Sequence, residues 1–477
     1  MVIIKDKPNI VLIVLDTAAV DVLNAALQNF EGQYIHKLIN NSTQYYNAIS
    51  PSSWTLPSHA SIFTGKYPGN HRIHETYELK ASKISQMMKE HSGNTITKYL
   101  YGMGYDTIGY SANSIISPDS GFDNYFRYFT LQDSLYGVKE ELDEILTFTD
   151  DLKTDFNLEG KLSTMKLVSE LLKSRKFKEF NKLVRLYYGI NKKLKYEGFP
   201  MMKGGNYIAR NISQSSFEEP FFLFINLMEM HDPYILNNMR RFTFDTNNVM
   251  LDDLFGYHIL EPNVLKRIRA GYDSSAHVLL GYVEKILAAL YQKTSLDNTM
   301  VIITSDHGQD IKYENFYGHG IFLNDKLTKV PLILHYPNAS KINSNRKIDS
   351  LVSTVNIFDS IVNLVENNTE EQFGSEVVFS ETFGIQHDIE FYFKDKLQDS
   401  YFMETRDKLD VVRKRIHKGN FSLTVNVTDG ITESFKYAAA EISPSSRPRE
   451  YNDLLQEIEF FLGKNKYYLP NFLKYTS

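Results

Sequence analysis

The chain has no cysteine among its 477 residues. Disulfide bonds, thiolate metal ligands and cysteine nucleophiles are therefore all excluded. Basic residues are not in excess either, because 52 Lys and Arg stand against 58 Asp and Glu, a formal net charge of -6. Without a global positive field, sequence-independent binding to nucleic acid is not expected, although a local positive pocket for an anion is compatible with this balance.

Long hydrophobic runs are also missing. No apolar stretch approaches the ~20 residues that span a bilayer, so we expect no integral membrane segment. The first residues lack the basic, apolar and small-residue pattern of a secretory signal, which favours a cytoplasmic location. With 42% hydrophobic and 23% charged residues, the chain is long enough for one large α/β domain and a smaller partner. The sequence leaves the oligomeric state open.

Three short runs are almost entirely apolar, at residues 10–15, 221–227 and 300–304. Strands buried on both faces of a parallel sheet have this composition. Each run is followed by side chains capable of chemistry, namely Asp16, then Glu229 and His231, then Asp306 and His307. Because ligands collect outside the carboxyl ends of the strands in open α/β sheets, this placement predicts one shared site.

Other segments complete a catalytic domain that we assign to residues 1–370. Residues 272–291 repeat apolar positions at three-to-four spacing, which predicts an amphipathic helix. A further strand is predicted at 330–336, where Pro331 favours the edge of a sheet. Residues 131–200 are rich in Lys, Glu, Leu and Phe with helical periodicity, and we interpret them as a helical insertion or cap over the site.

Residues 371–477 have a different sequence pattern from the preceding domain. The strand-like run NFSLTVNV at 420–427 is followed by Asp429-Gly430 and by a second β-like run at 434–439. Strand, Asp-Gly and strand in this order predict a hairpin. A helix predicted at 451–462 would complete a smaller C-terminal α+β subdomain with an antiparallel sheet.

The sharpest local feature is the segment WTLPSHASIFTG at 54–65. Pro57 suits the first turn of a helix and Gly65 its end, so Thr55 lies at or just before a helix N-terminus. Unpaired backbone N–H groups favour a bound oxyanion there, and a coordinated divalent cation would activate the hydroxyl for attack. Taken alone, Thr55 could equally be an N-cap residue.

Asp16, Asp306 and His307 give this hydroxyl a metal-binding context. Each could have an ordinary role, Asp16 as a cap or surface turn and Asp306 with His307 as a loop. Together with Thr55 they form a set of oxygen and nitrogen ligands that suits Mg²⁺, Mn²⁺, Ca²⁺ or Zn²⁺, and the sequence does not choose among these ions.

The order of motifs resembles the sulfatase-like members of the alkaline phosphatase superfamily over nearly the whole chain. The matching segments are PNIVLIVLDT, WTLPSHASIFTGKYPGNH, PFFLFINLMEMHDPY, SDHG, GHG and VPLIL, in family order. The resemblance implies an α/β fold, a three-layer sandwich with a large, mostly parallel central sheet, and it is fainter over the C-terminal subdomain.

Transferred position by position, the resemblance implies that Asp16, Thr55, Asp306 and His307 form the first shell of a metal, with Thr55 as nucleophile. His231 matches a family histidine that faces the substrate oxyanion or leaving group. His319, in Gly318-His319-Gly320, lies where the family places a histidine or lysine that contacts the transferred group. These implied roles make His231 and His319 both catalytic and substrate-binding candidates.

Three further residues are substrate-binding candidates, namely His59, His71 and Asn113. His59 stands where the family has an arginine. Family sulfatases also carry a cysteine or serine, converted to formylglycine, where this chain has Thr55, so the hydrated-aldehyde mechanism is not expected. Thr17 replaces a second metal-binding aspartate found in many sulfatases. Two-metal members need a further carboxylate with no obvious source here, so one cation is favoured over two.

We therefore predict a metal-dependent hydrolase that cleaves phosphate mono- or diesters through a covalent Thr55 intermediate. The expected partner is a small-molecule or headgroup ester. The alternatives are a true sulfuric ester hydrolase, a transferase of the phosphoglycerol or phosphoethanolamine type, and, from another class, a non-catalytic binding module.

Overall fold

The structure is a computed structural model of the chain. It describes residues 7–74, 86–88, 90, 95–113, 115–117, 120–122, 127–130, 170–196, 203–232, 234, 251–257, 259–312, 317–338, 346–367, 373–385 and 393–464. Most of the predicted insertion at 131–200 therefore lies outside the described residues, and residues 170–196 within it are largely helical. Whether that segment covers the site stays a prediction.

An eight-stranded sheet forms the centre of the fold, with strand order β10-β2-β9-β6-β1-β5-β3-β4. Its strands are β1 Asn9–Leu15, β2 Thr43–Ile49, β3 Asp106–Ser111, β4 Arg127–Thr130, β5 Phe221–Leu227, β6 Thr299–Thr304, β9 Lys329–His335 and β10 Lys347–Ser353. A two-stranded sheet pairs β7 Asp310–Ile311 with β8 Tyr317–Gly318. The three apolar runs of the sequence are β1, β5 and β6, and β1 lies between the other two.

Strand β9 is the exception in a mostly parallel sheet, since it runs antiparallel to both β6 and β2. The prediction that Pro331 marks a sheet edge is wrong, because β9 lies inside the sheet. The β2–β9 register shifts between Tyr45 and Ala48, opposite Leu332 and Val330. This irregularity brackets Pro331, which accommodates a residue that has no N–H to donate to the ladder.

Helices cover both faces of the sheet. The helices in the described part of the chain are α1 Val20–Gln28, α2 Gln33–Asn40, α3 Thr55–Thr64, α4 Pro68–His71, α5 Ile96–Gly102, α6 Phe177–Tyr196, α7 Gly205–Gln214, α8 Pro262–Lys293, α9 Asp325–Thr328, α10 Ile357–Asn367, α11 Ser400–Leu409 and α12 Pro448–Lys464. Helices α1, α2, α7 and α8 pack on one face, and α3, α5 and α10 pack on the other. The predicted helix at 272–291 is the C-terminal part of α8.

Alternation along β1 shows why the sequence folds into three layers. Val11, Ile13 and Leu15 belong to one buried core, and the side chains between them belong to the core on the opposite face. Every residue of β1 is buried, as expected for a strand covered on both sides. The predicted three-layer α/β sandwich is confirmed.

The C-terminal region forms a five-stranded antiparallel sheet in the order β11-β12-β13-β14-β15. Its strands are β11 Val377–Phe383, β12 Val412–Lys418, β13 Phe421–Asn426, β14 Ile431–Tyr437 and β15 Ala440–Glu441. The predicted hairpin is the β13–β14 pair, and helix α12 packs its apolar side chains against this sheet. The predicted α+β architecture of this region is confirmed.

In the part of the chain that the structure describes, none of the helices is both long and apolar enough to cross a bilayer. A cytoplasmic location stays a prediction.

Candidate metal and catalytic site

The candidate site lies where β1 and β6 end. These strands are parallel neighbours, with Val14 opposite Thr304, so the residues that follow them emerge at the same sheet edge. Each of Asp16, Asp306 and His307 offers a ligand atom within 4.8 Å of the others, and all three side chains are buried. Residues far apart in the chain therefore meet because their strands are adjacent.

Both carboxylates have one fixed oxygen and one unbonded oxygen. Asp16 Oδ2 accepts a hydrogen bond from Asn113 Nδ2 at 2.8 Å, and Asp306 Oδ1 accepts from the backbone N–H groups of Thr17 and His307 at 3.1 and 2.8 Å. Asp16 Oδ1 and Asp306 Oδ2 are buried without a hydrogen-bond partner among the described residues. Burial and the Asp16 charge raise the pKa of Asp306 well above its usual range. A divalent cation between these oxygens would offset both effects, so the donor set fits a metal.

His307 is held in the tautomer that a metal ligand requires. Its Nδ1–H donates to the carbonyl of Gly308 at 2.9 Å. The lone pair of Nε2 therefore points toward Thr55 Oγ1 at 3.2 Å and Asp306 Oδ2 at 3.4 Å. Burial lowers the pKa of His307 to about 4, so its ring is neutral at pH 7 and available for coordination.

Thr55 begins helix α3 and is buried. The N-cap position belongs to Trp54, and no side chain caps this helix by a hydrogen bond. The interpretation of Thr55 as an N-cap residue is therefore wrong. Its hydroxyl instead contacts His307 Nε2. The first-turn N–H groups and the positive end of the helix dipole lie beside it, which favours an anion at this position.

His59 follows Thr55 by one helical turn and is fully buried. Its Nδ1–H donates to the Thr55 carbonyl at 2.9 Å, and Nε2 accepts from Asn226 Nδ2 at 3.3 Å. Burial lowers the pKa of His59. The ring is thus neutral and holds the start of α3 against strand β5 and against Asp306, whose Oδ2 lies 3.6 Å from Nδ1.

A second pair of imidazoles lies beside this cluster. The ring of His319 is 4.8 Å from that of His307 and 5.2 Å from that of His231. Gln309 Oε1 accepts from His319 Nδ1 at 2.6 Å, and the Asp232 backbone carbonyl accepts from His231 Nδ1 at 2.9 Å, with Asp232 Oδ1 3.0 Å from the same nitrogen. In both histidines Nδ1 is therefore engaged within the protein, and Nε2 is the nitrogen left for a substrate.

His319 and His231 differ in how readily they are protonated. Burial lowers the pKa of His319 well below its usual range. Burial also acts to lower the pKa of His231, but the charge of Asp232 and the hydrogen bond to it outweigh that effect and leave the pKa raised. Of the pair, His231 is the side chain that more readily carries a proton.

The remaining substrate-binding candidates, Asn113 and His71, form hydrogen bonds to other residues of the protein. Asn113 contacts Asp16 and also accepts the backbone N–H of Ile115 at 2.9 Å, so it fixes a carboxylate of the cluster. His71 hydrogen bonds through Nε2 to Ser61 Oγ at 3.0 Å and accepts the Ile73 N–H on Nδ1 at 2.9 Å. Both ring nitrogens of His71 are thereby used within α3, α4 and the following turn, and its role toward substrate stays a prediction.

Two further polar residues lie near the site, Lys203, which sequence reasoning missed, and Glu229, which it named only as following a buried strand. Lys203 lies just before α7, and its Nζ is buried without a hydrogen-bond partner among the described residues. Glu229 Oε1 accepts the Gly205 N–H at 2.9 Å, and its other oxygen is buried and without a hydrogen-bond partner in the described structure. Burial raises the pKa of Glu229 to about 7. No motif marks Lys203, whereas Glu229 and Asp232 share the signal of following a buried strand.

The loop that leads into Thr55 is attached to the C-terminal sheet. Glu381 N donates to Pro51 O at 2.8 Å, Ser52 Oγ donates to Glu381 O at 2.9 Å, and Ser380 Oγ donates to Ser50 O at 2.6 Å. Glu381 also forms a fully buried ion pair with Lys414. Strand β11 therefore supports the segment that positions the candidate nucleophile.

Comparison with known proteins identifies the family of the chain. The family model described as Sulfatase matches residues 8–367. An N-acetylgalactosamine-6-O-sulfatase of Bacteroides thetaiotaomicron is 23% identical over 422 residues, covering 77% of this chain and 74% of that protein. An iduronate 2-sulfatase of Mus musculus is 24% identical, covering 70% of this chain and 60% of the relative.

Solved structures show the same fold. A 2-O GAG sulfatase superposes with a TM-score of 0.61 at 13% identity, covering 97% of this chain and 93% of its own. A phosphonate monoester hydrolase of Agrobacterium radiobacter superposes with a TM-score of 0.59 at 14% identity, covering 96% and 95%. At these identities the likeness concerns architecture alone.

Proposed function

The chain belongs to the sulfatase family of ester hydrolases, and we propose that it cleaves phosphate mono- or diesters with the Thr55 hydroxyl as nucleophile. The observation that carries the proposal is the position of Thr55 Oγ1, 3.2 Å from His307 Nε2 and beside the Asp16, Asp306 and His307 cluster. The substrate would be a small-molecule or headgroup ester.

Asp16, Asp306, His307 and Thr55 would hold one divalent cation. When bound, such an ion supplies Lewis-acid stabilisation of the charge that develops on the nucleophile and on the transferred group. The unbonded oxygens of Asp16 and Asp306 and the lone pair of His307 support this ligand set. Mn, Zn, Mg and Ca are all compatible with these donors.

The reaction would proceed in two steps, each carried out by residues of this chain. The Thr55 hydroxyl loses its proton to solvent as Oγ1 attacks the phosphorus in line, the bond to the ester oxygen breaks, and His231 gives that oxygen a proton. Water then attacks the phosphothreonine as it loses a proton to His231, Thr55 Oγ1 regains a proton from solvent, and phosphate, or the phosphomonoester when the substrate is a diester, departs. The Asp232 carboxylate beside His231 raises the pKa of His231 and so favours the protonated form that the first half requires.

Hydrolysis of sulfate esters is a second candidate, because both curated relatives described above are named as sulfatases. The two candidates share the nucleophile and differ in the central atom. Matched 4-nitrophenyl phosphate, bis(4-nitrophenyl) phosphate and 4-nitrophenyl sulfate, each assayed with every candidate cation, would rank them. We expect kcat/KM to be highest on one of the two phosphate esters.

The test of the nucleophile is the pair Thr55→Ala and Thr55→Ser. The alanine variant should lose turnover on the preferred ester while keeping the wild-type melting temperature and cation affinity, and the serine variant should retain part of the activity. Peptide mapping of acid-quenched wild-type protein should locate the transferred group on Thr55. A Thr55→Ala protein with most of the wild-type kcat would overturn the mechanism.

A further inference from the structure

The charge balance of the site calls for a cation that none of the sequence-predicted residues supplies. Asp16 and Asp306 approximately neutralise a divalent ion, and Asp232 and Glu229 add further negative charge nearby. Among the sequence-predicted substrate-binding residues, Asn113 is an amide, His59 and His319 are neutral imidazoles, and the charge of a protonated His231 is offset by Asp232. A phosphate or sulfate ester is itself an anion, and binding it there without a further positive charge is unfavourable.

Lys203 supplies a positive charge that acts on the carboxylates around the candidate site. Its amine interacts electrostatically with Asp232, Glu229 and Asp16, and its charge also acts on His231. Lys203 precedes Gly205 by two residues, and the Gly205 N–H donates to Glu229 Oε1 at 2.9 Å, in the segment that follows β5 and also carries His231 and Asp232. The Lys203 ammonium group is buried, and none of the described side chains or carbonyls accepts a hydrogen bond from it.

An ammonium group has three N–H donors, and leaving all of them unused in a buried position costs free energy that a ligand can recover. We propose that Lys203 is the residue that binds the non-bridging oxygens of the substrate's phosphate or sulfate group. The assignment rests on the proposed function, and it deepens it by naming the contact that recognises the anion. Lys203 lies outside the sequence motifs. The candidates that the motifs supply, such as Asn113 and His319, have no permanent charge with which to bind an anion.

A purely structural role for Lys203 is the competing explanation, since its charge could serve only to offset that of Glu229. Glu229→Gln separates the two. A glutamine keeps the oxygen that accepts the Gly205 N–H and removes the negative charge. The double variant with Lys203→Met removes both charges of the Lys203 and Glu229 pair. If Lys203 served only to offset Glu229, anion affinity in this double variant would return to the wild-type value.

The experiment is calorimetric titration of inorganic phosphate, and separately inorganic sulfate, into cation-loaded protein, with cation affinity and melting temperature measured in parallel. We expect Lys203→Met to bind the preferred anion about 10- to 100-fold more weakly, the loss of a charge-assisted hydrogen bond. Lys203→Arg should recover part of the affinity, and the Lys203→Met/Glu229→Gln double variant should remain weak. Lys312→Met, which removes a lysine paired with Asp253 at 2.7 Å, is the matched control and should bind as wild type does.

Wild-type affinity in Lys203→Met, or its full return in the double variant, would overturn the assignment. So would a wild-type protein that binds neither anion. These outcomes are independent of turnover, because a protein that binds phosphate through Lys203 and yet hydrolyses no ester would contradict the proposed function and leave the anion contact standing.

Discussion

Replacing Asp232 by asparagine should change the pH range of activity without removing activity. Asp232 Oδ1 lies 3.0 Å from His231 Nδ1, and this charge is the main reason that the pKa of His231 is raised despite burial. Asparagine keeps an oxygen that can accept the Nδ1–H and loses the negative charge. The pKa of His231 should therefore fall.

The expected size of the change follows from the contact. A hydrogen bond to a charged group contributes about 1.5–3 kcal/mol, and one pKa unit corresponds to about 1.36 kcal/mol, so the pKa of His231 should drop by about one to two units. His231 must be protonated to act as the acid. Activity is thus complete below its pKa and lost above it, and the alkaline limb of the pH profile should move to lower pH.

The assay is kcat/KM against pH with saturating cation, for an alkyl ester and a 4-nitrophenyl ester of the same acid. The alkyl leaving group needs a proton and should show the shifted limb, whereas the 4-nitrophenyl group needs little help and should show a weaker dependence. At the low-pH plateau Asp232→Asn should approach the wild-type rate. His231→Gln is the control, and its pH profile on the alkyl ester should show no alkaline limb.

An unmoved alkaline limb in Asp232→Asn would refute the assignment of His231 as the acid. A limb that moves equally for both leaving groups would also count against it, because the titrating group would then act on a step other than leaving-group departure.

Three further outcomes are expected. Chelation should lower the melting temperature and added cation should restore it, since a ligand at 100 times its Kd stabilises by about 2.7 kcal/mol. Gly308→Ala should weaken cation binding and lower stability by about 1–3 kcal/mol, because its Cβ would lie 2.0 Å from the Lys326 carbonyl. Lys414→Met should cost about 3–5 kcal/mol in urea unfolding by leaving the buried Glu381 carboxylate without its ammonium partner, and an unchanged midpoint would contradict this.

The sequence predicted the sheet best where burial is two-sided. Strands β1, β5 and β6 are continuous apolar runs, and their adjacency in the sheet brings Asp16 and Asp306 to one edge. Strand β2 was missed because its exposed and buried residues alternate without turn signals that stand out. The interior position of β9 was also missed, since Pro331 ordinarily signals an edge and the compensating irregularity lies in β2.

Prediction of the site failed for residues whose importance depends on tertiary contacts. The charge of Lys203 acts on Asp232, Glu229 and Asp16 because the start of α7 is hydrogen-bonded through Gly205 to Glu229, which follows β5, and no local pattern encodes this contact. The pairing of His319 with Gln309 likewise depends on the antiparallel pairing of β7 with β8. Roles that the sequence assigned to single residues therefore belong to hydrogen-bonded pairs.

The attachment of β11 to residues 50–52 makes the C-terminal sheet a support of the candidate site. A fragment truncated near residue 370 would retain every candidate ligand and the nucleophile. It would nevertheless lack the backbone partners of Pro51 and Ser52, so Thr55 would lose the anchor that fixes its approach to His307. Boundaries drawn for expression or for domain exchange should therefore keep both sheets in one polypeptide.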